Sequence, residues 1–142
     1  MWGFIIALIS GALMSIQGDF NTGITKSSSM WEANSWVQLN AFLVCVIAWF
    51  VTGKQNVMGM FHVENKYMLL GGVIGAFITM TVIKSMNSLG PAKAVLIIVI
   101  SQIIVAYLIE LFGLFGVDKV PFQWSKLVGA LVAIVGIFIF HR

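Results

Sequence analysis

Charged residues are scarce in this sequence. Asp, Glu, Lys and Arg make up 9% of 142 residues, against roughly 25% in an ordinary soluble domain. So little charge cannot cover a water-facing surface of normal size, which excludes a soluble globular domain. Cysteine occurs once, as Cys45 in an apolar run, so neither an internal disulfide nor a thiolate metal cluster is expected. The two histidines, His62 and His141, lie far apart and outside the apolar stretches, which leaves zinc without a ligand set. The formal charge of +3 comes with no basic cluster, so no nucleic-acid partner is expected. There is no G-x-x-x-x-G-K-[ST] loop, which excludes ATP drive within the chain. The apolar stretches hold no Ser–His or metal constellation, so no intramembrane enzyme is expected. A channel is disfavoured because nothing resembles a selectivity filter. No cofactor is implied.

What is present is apolar sequence. The chain is 60% hydrophobic, with a mean hydropathy of +1.02. Five apolar stretches stand out, at residues 2–18, 33–51, 68–83, 91–112 and 122–140. A helix needs about 20 residues to cross a bilayer. The expected fold is therefore all-α: one integral membrane domain, 1–142, built as a bundle of five transmembrane helices. The first stretch has no basic n-region and no clear cleavage site, so it reads as a retained span rather than a signal peptide.

Residues 3–21 carry the most informative pattern. Gly3, Ala7, Gly11 and Ser15 are four apart and share one helix face. Such a row lets a second helix approach closely in lipid. A neighbouring face carries Ser10, Met14, Gln17 and Asn21. That polar edge needs a partner or a cavity, unless Gln17 and Asn21 simply mark the helix exit. Residues 19–32, rich in Gly, Ser, Thr and Asn, read as a loop or a broken helix end.

In the second stretch Asn34, Gln38 and Cys45 share a side, and Trp31, Trp36 and Trp49 suit interfacial anchoring. Residues 53–67 form a polar connector, in which Val57, Met60 and Phe61 allow a short amphipathic piece. In the third stretch Gly71 and Gly75 form a G-x-x-x-G face with Thr79 one turn on. Pro91 suits the first turn of the fourth helix. Ser101 and Gln102 interrupt that helix at mid-depth, and Gln102, Ala106 and Glu110 fall on one side. A glutamine there should face protein or water, since an unbonded amide in lipid is costly. Gly113 and Gly116 are expected to end the helix. In the fifth stretch Gly129, Ala133 and Gly136 form another small-residue seam.

Five spans would leave the chain ends on opposite sides of the membrane. Connectors on the N-terminal side then hold Lys54, Lys66, Lys119 and Lys126, and the other side holds Lys26, Lys84, Lys93 and Arg142. The positive-inside rule therefore gives almost no bias. One explanation is insertion in both orientations with pairing as an antiparallel dimer. Another is a bias supplied by a partner subunit or a local effect.

The run Gly11–Ala12–Leu13, then Ile16–Gln17–Gly18, then Asn21, resembles the opening signature of the YdcZ-like branch of the drug/metabolite transporter superfamily. Leu89–Gly90–Pro91–Ala92, mid-helix Gln102, Glu110–Leu111–Phe112–Gly113 and the stretch Gly129 through Gly136 continue the likeness in order. Ser101 stands where the family usually has glycine, and Asp19 where a small apolar residue is usual. The resemblance implies a half-size transporter of the bacterial cytoplasmic (inner) membrane. It also implies an antiparallel homodimer, or pairing with a close homologue, that rebuilds two inverted five-helix repeats. The superfamily moves small organic metabolites, drugs and cations, commonly outward.

The candidate substrate-binding residues are Gln17, Asn21, Trp31, Asn34 and Gln102. Amides orient a polar substrate, and a tryptophan face holds a cation or an apolar ring. Glu32 and Glu110 are the candidate coupling carboxylates, exchanging a proton for a cation. Each has a plainer reading: Glu32 as part of a helix start facing water, Glu110 as an interfacial carboxylate beside a lysine, Trp31 as an anchor. The expected function is a secondary transporter of a small polar or cationic organic metabolite. The alternative is a structural or accessory membrane subunit, which the small-residue seams would serve equally well.

Overall fold

The computed structural model describes residues 1–53 and 56–140. All secondary structure among them is helical: α1 (Trp2–Ile24), α2 (Met30–Val51), α3 (Gly71–Leu89), α4 (Pro91–Phe112) and α5 (Trp124–Phe140), with short 3-10 helices at Val57–His62, Lys66–Leu70 and Leu114–Gly116. Four continuous helical stretches are long and apolar enough to cross a membrane: Trp2–Ile24, Met30–Val51, Lys66–Leu89 and Pro91–Phe112. Helix α5 has 17 residues and is shorter than these. The chain forms two compact units, Met1–Ser88 with α1 to α3, and the residues from Leu89 on with α4 and α5.

Helix α1 runs through Asp19 to Ile24, where the composition suggests a loop. The reason lies in the hydroxyls that follow. The Ile24 carbonyl accepts from Ser27 N at 3.1 Å and from Ser28 Oγ at 2.9 Å, and Thr25 Oγ1 donates to the Thr22 carbonyl at 2.8 Å. Carbonyls that a helix end leaves unpaired are thus satisfied locally. The hydroxyl-rich stretch closes one helix and opens the next. Ser29 Oγ accepts from Glu32 N at 3.3 Å, and Glu32 Oε2 accepts from Ser29 N at 2.9 Å. This reciprocal capping box starts α2 at Met30. Ser29→Ala should lower stability by about 1 kcal/mol, measured as an earlier loss of helicity on heating in detergent.

Helix α3 continues past Lys84 to Leu89. Gly90 takes φ 81°, a conformation L side chains avoid, and Pro91 follows at the first helical position. At the other end of α4, Gly113 adopts φ 65° and its N–H donates to the Ile109 carbonyl. A Cβ there would also sit 3.3 Å from Lys119 Cβ. Both glycine stops are therefore backbone requirements.

Burial is the inverse of that in a soluble protein. In the first unit the buried residues are Gly18 and Asn21 on α1, Ala33 and Asn34 on α2, and Ile83 and Met86 on α3. Large apolar side chains such as Phe42, Val44, Val132 and Phe138 point outward. Exposed apolar surface on this scale is costly in water. In hydrocarbon it is the favourable arrangement, because the helices satisfy their own backbone groups.

Candidate functional site

The first unit is assembled by a close contact and a set of polar bridges. Gly18 faces Met86: a Cβ at Gly18 would overlap Met86 Cε and lie 2.7 Å from its Sδ. Beside that contact Thr22 Oγ1 donates to Met86 Sδ at 3.8 Å, and Asn87 Nδ2 donates to Thr25 Oγ1 at 3.4 Å. Between α2 and α3, Asn34 Nδ2 donates to the Ala76 carbonyl at 2.9 Å and Gln38 Nε2 to Thr79 Oγ1 at 3.4 Å. Thr79 Oγ1 in turn donates to the Gly75 carbonyl at 3.0 Å.

Asn34 is 3% exposed, and its Oδ1 has no hydrogen-bond partner. The amide orientation follows from its neighbour. The Ala76 carbonyl only accepts, so the NH2 group must face it, and a flipped amide would set two oxygens against each other. Oδ1 is therefore left as an unused acceptor. A buried acceptor without a donor costs about 1–3 kcal/mol. A ligand carrying an N–H or O–H would relieve that cost.

Gln17 and Asn21 do share a cavity edge, as their spacing suggests. With Ser10, Leu13, Met14, Ile16 and Phe20 they line an open concavity of about 490 Å³. Every one of these residues belongs to α1. Asn21 is otherwise buried, whereas Gln17 is exposed. Of the remaining candidates in this unit, Trp31 is 63% exposed, and Glu32 turns back onto its own helix start in the capping box.

The second unit holds Gln102 and Glu110. Gln102 is exposed on α4. Glu110 is engaged: Lys126 Nζ donates to its Oε2 at 2.6 Å, with both side chains about 40% exposed. Lys126 also lies 5.3 Å from the centre of the Tyr107 ring, and the Tyr107 hydroxyl accepts from Gln123 N at 2.9 Å. The Glu110 backbone carbonyl accepts from Val120 N at 2.9 Å. These bonds tie the α4–α5 connector down. Among the described residues no hydrogen bond joins Gln102 to Glu110, although they share a helix side.

The small-residue seams of α1 and α5 face largely outward, whereas Gly75 is half-buried on the side of α3 that meets α2 through Thr79. Nothing lies within 4 Å of a Cβ placed at Gly3, Gly11, Gly71, Gly75, Gly129 or Gly136. Ala7 is exposed, Ala133 is half-buried, and Ser15 Oγ donates back to the Gly11 carbonyl at 3.2 Å. The glycine that meets a neighbouring helix is Gly18, against the Met86 side chain. Gly18 lies outside the row of fours that ends at Ser15, but it is seven beyond Gly11 and so on nearly the same face. On α3, Thr79 lies one turn beyond Gly75 on the marked face and meets Gln38, whereas Met86 carries no comparable mark. Among the described residues no group of three or more His, Cys, Asp or Glu is placed to hold a metal ion.

Apolar membrane-length helices bridged by a few buried amides define a polytopic helical membrane protein. The family described as "Putative inner membrane exporter, YdcZ" matches residues 2–139. The chain belongs to that family, and is thus a transmembrane protein of the inner membrane and of an exporter family, not an enzyme family. No curated protein and no solved structure matches it significantly.

Proposed function

We propose that the chain is half of a secondary transporter that exports a small polar or cationic organic molecule. The observation that carries this reading is the polar edge of α1: Gln17 and Asn21 line a concavity walled by one helix alone. A transport pathway needs a second wall, and a copy inserted in the opposite orientation would supply it. This requires α5 to be the fifth span. Its 17 residues rise about 25 Å at 1.5 Å each, at the short end of the range for a crossing helix. An odd number of spans and an even split of basic residues both favour an antiparallel homodimer, or a pair of close homologues. In this reading Gln17, Asn21 and Asn34 bind substrate and Trp31 offers an aromatic face. Gln102 is a further amide candidate in the second unit. Glu32 and Glu110 remain the candidates for proton coupling.

A second reading is an accessory membrane subunit. It is favoured by the structural tasks both carboxylates already have, Glu32 in a helix cap and Glu110 in an ion pair. Reconstitution separates the two. Purified protein in vesicles, with an imposed proton gradient and a panel of organic amines, should accumulate at least one amine. Glu32→Gln keeps the capping box, because Gln also serves at that position. Glu110→Gln loses an exposed ion pair worth about 0–1 kcal/mol. Both variants should therefore stay folded, and at least one should lose most of the gradient-driven uptake. Folded protein without flux for any amine would favour the accessory reading, and flux unaffected in both variants would remove both carboxylates from coupling.

A further inference from the structure

The connector between α2 and α3 does more than join them. It contains two 3-10 helices, Val57–His62 and Lys66–Leu70, and every residue from Asn56 to Leu70 is exposed. In a 3-10 helix side chains three apart stand in one column. The first helix therefore has three columns: Val57 with Met60, Met58 with Phe61, and Gly59 with His62. Two columns are wholly apolar and the third is polar. In the second helix Tyr67 and Leu70 share a column. His62, Glu64 and Lys66 cluster where the two helices meet in sequence.

From this we infer that residues 57–70 lie in the headgroup–acyl boundary of the bilayer, as an interfacial anchor. Three observations converge. The exposed apolar columns, with Met58 60% and Phe61 52% exposed, have no cover among the described residues. The backbone is folded onto itself, as entry into a water-poor layer requires. Gly59 N donates to the Asn56 carbonyl at 3.1 Å, Met58 N to Asn56 Oδ1 at 3.0 Å and Met68 N to the Asn65 carbonyl at 3.0 Å, while His62 Nδ1 meets the Met58 carbonyl at 2.9 Å. Finally, the segment is continuous with two membrane-length helices, since α2 ends at Val51 and the second 3-10 helix leads directly into α3. Six residues at 2.0 Å each rise only about 12 Å, so the first 3-10 helix cannot recross the bilayer and must stay on one face. A surface-lying helix with Met and Phe in two columns and His62 in the third fits that boundary. The inference is independent of what the protein transports.

Spin-label accessibility tests it. In a Cys45→Ala background, single cysteines are introduced as Met58→Cys, Phe61→Cys, His62→Cys and Glu64→Cys. Each is labelled and reconstituted in phosphatidylcholine–phosphatidylglycerol vesicles, and collision with oxygen is compared with collision with a water-soluble nickel chelate. All four positions are exposed, so the labelled proteins should elute like the parent. The oxygen-to-nickel ratio is expected to be severalfold higher at 58 and 61 than at 62 and 64. Equal and high nickel accessibility at all four sites would overturn the inference in favour of a solvated loop. Shielding of 58 and 61 from both reagents would overturn it in favour of cover by protein, such as a second copy.

Discussion

Gly18→Leu is expected to dismantle the three-helix unit. At this point a side chain on α1 would collide with the end of Met86 on α3: a Cβ would overlap Met86 Cε and crowd its Sδ, so the methionine has to swing away. A leucine adds three further carbons along the same direction. Inserting bulk into a packed contact typically costs about 1–3 kcal/mol, a large part of a marginal stability. The neighbouring bonds, Thr22 to Met86 and Asn87 to Thr25, are long and would be lost together with the contact. Gly18→Ala is expected to be much milder, because the atoms it meets are the flexible end of a methionine. Met86→Ala should partly rescue Gly18→Leu by vacating the space, a coupling that a double-mutant cycle reads directly. Thermal unfolding followed by size-exclusion chromatography in detergent checks all three. Full tolerance of Gly18→Leu would show that α1 and α3 do not meet there.

Asn34→Leu is expected to do the opposite, sparing the fold and removing binding. The change deletes the Asn34–Ala76 bond, worth about 0.5–1.5 kcal/mol, and also the buried acceptor that has no partner, which costs about 1–3 kcal/mol. The two nearly cancel, and leucine is close in size, so unfolding should shift by less than about 1 kcal/mol. If Oδ1 receives a donor from the substrate, the apparent affinity should fall about 5- to 150-fold, the equivalent of 1–3 kcal/mol. Asn34→Asp should be tolerated less well, since it sets a second acceptor against the Ala76 carbonyl. Uptake curves on folded protein decide the matter. Unchanged affinity in Asn34→Leu would remove Asn34 from the site.

Local signals were legible where chemistry is local. Pro91 at a first turn, Gly113 as a left-handed stop and the polar edge through Gln17 and Asn21 all follow from neighbours within one or two turns. The serine-rich stretch misled for a related reason. Its composition signals a break over residues 19–32, yet its hydroxyls cap the ends of two helices, so that only residues 25–29 lie between α1 and α2. Gly18 is not marked by the small-residue row, which runs at steps of four and ends at Ser15. Long-range partners were legible only in kind. Nothing near Asn34 in sequence indicates Ala76, and the reading of Glu110 as a carboxylate beside a lysine could not single out Lys126 as that lysine.

Apolar composition and helix-length runs by themselves determined that this chain lives in a bilayer, because no other solvent tolerates such a surface. Which polar groups face inward, which glycine admits a neighbour and which carboxylates already have partners were decided only by tertiary packing. The physical reason is that lipid supplies no hydrophobic drive between helices. Their pairing then rests on a few close contacts and hydrogen bonds between residues far apart in the chain.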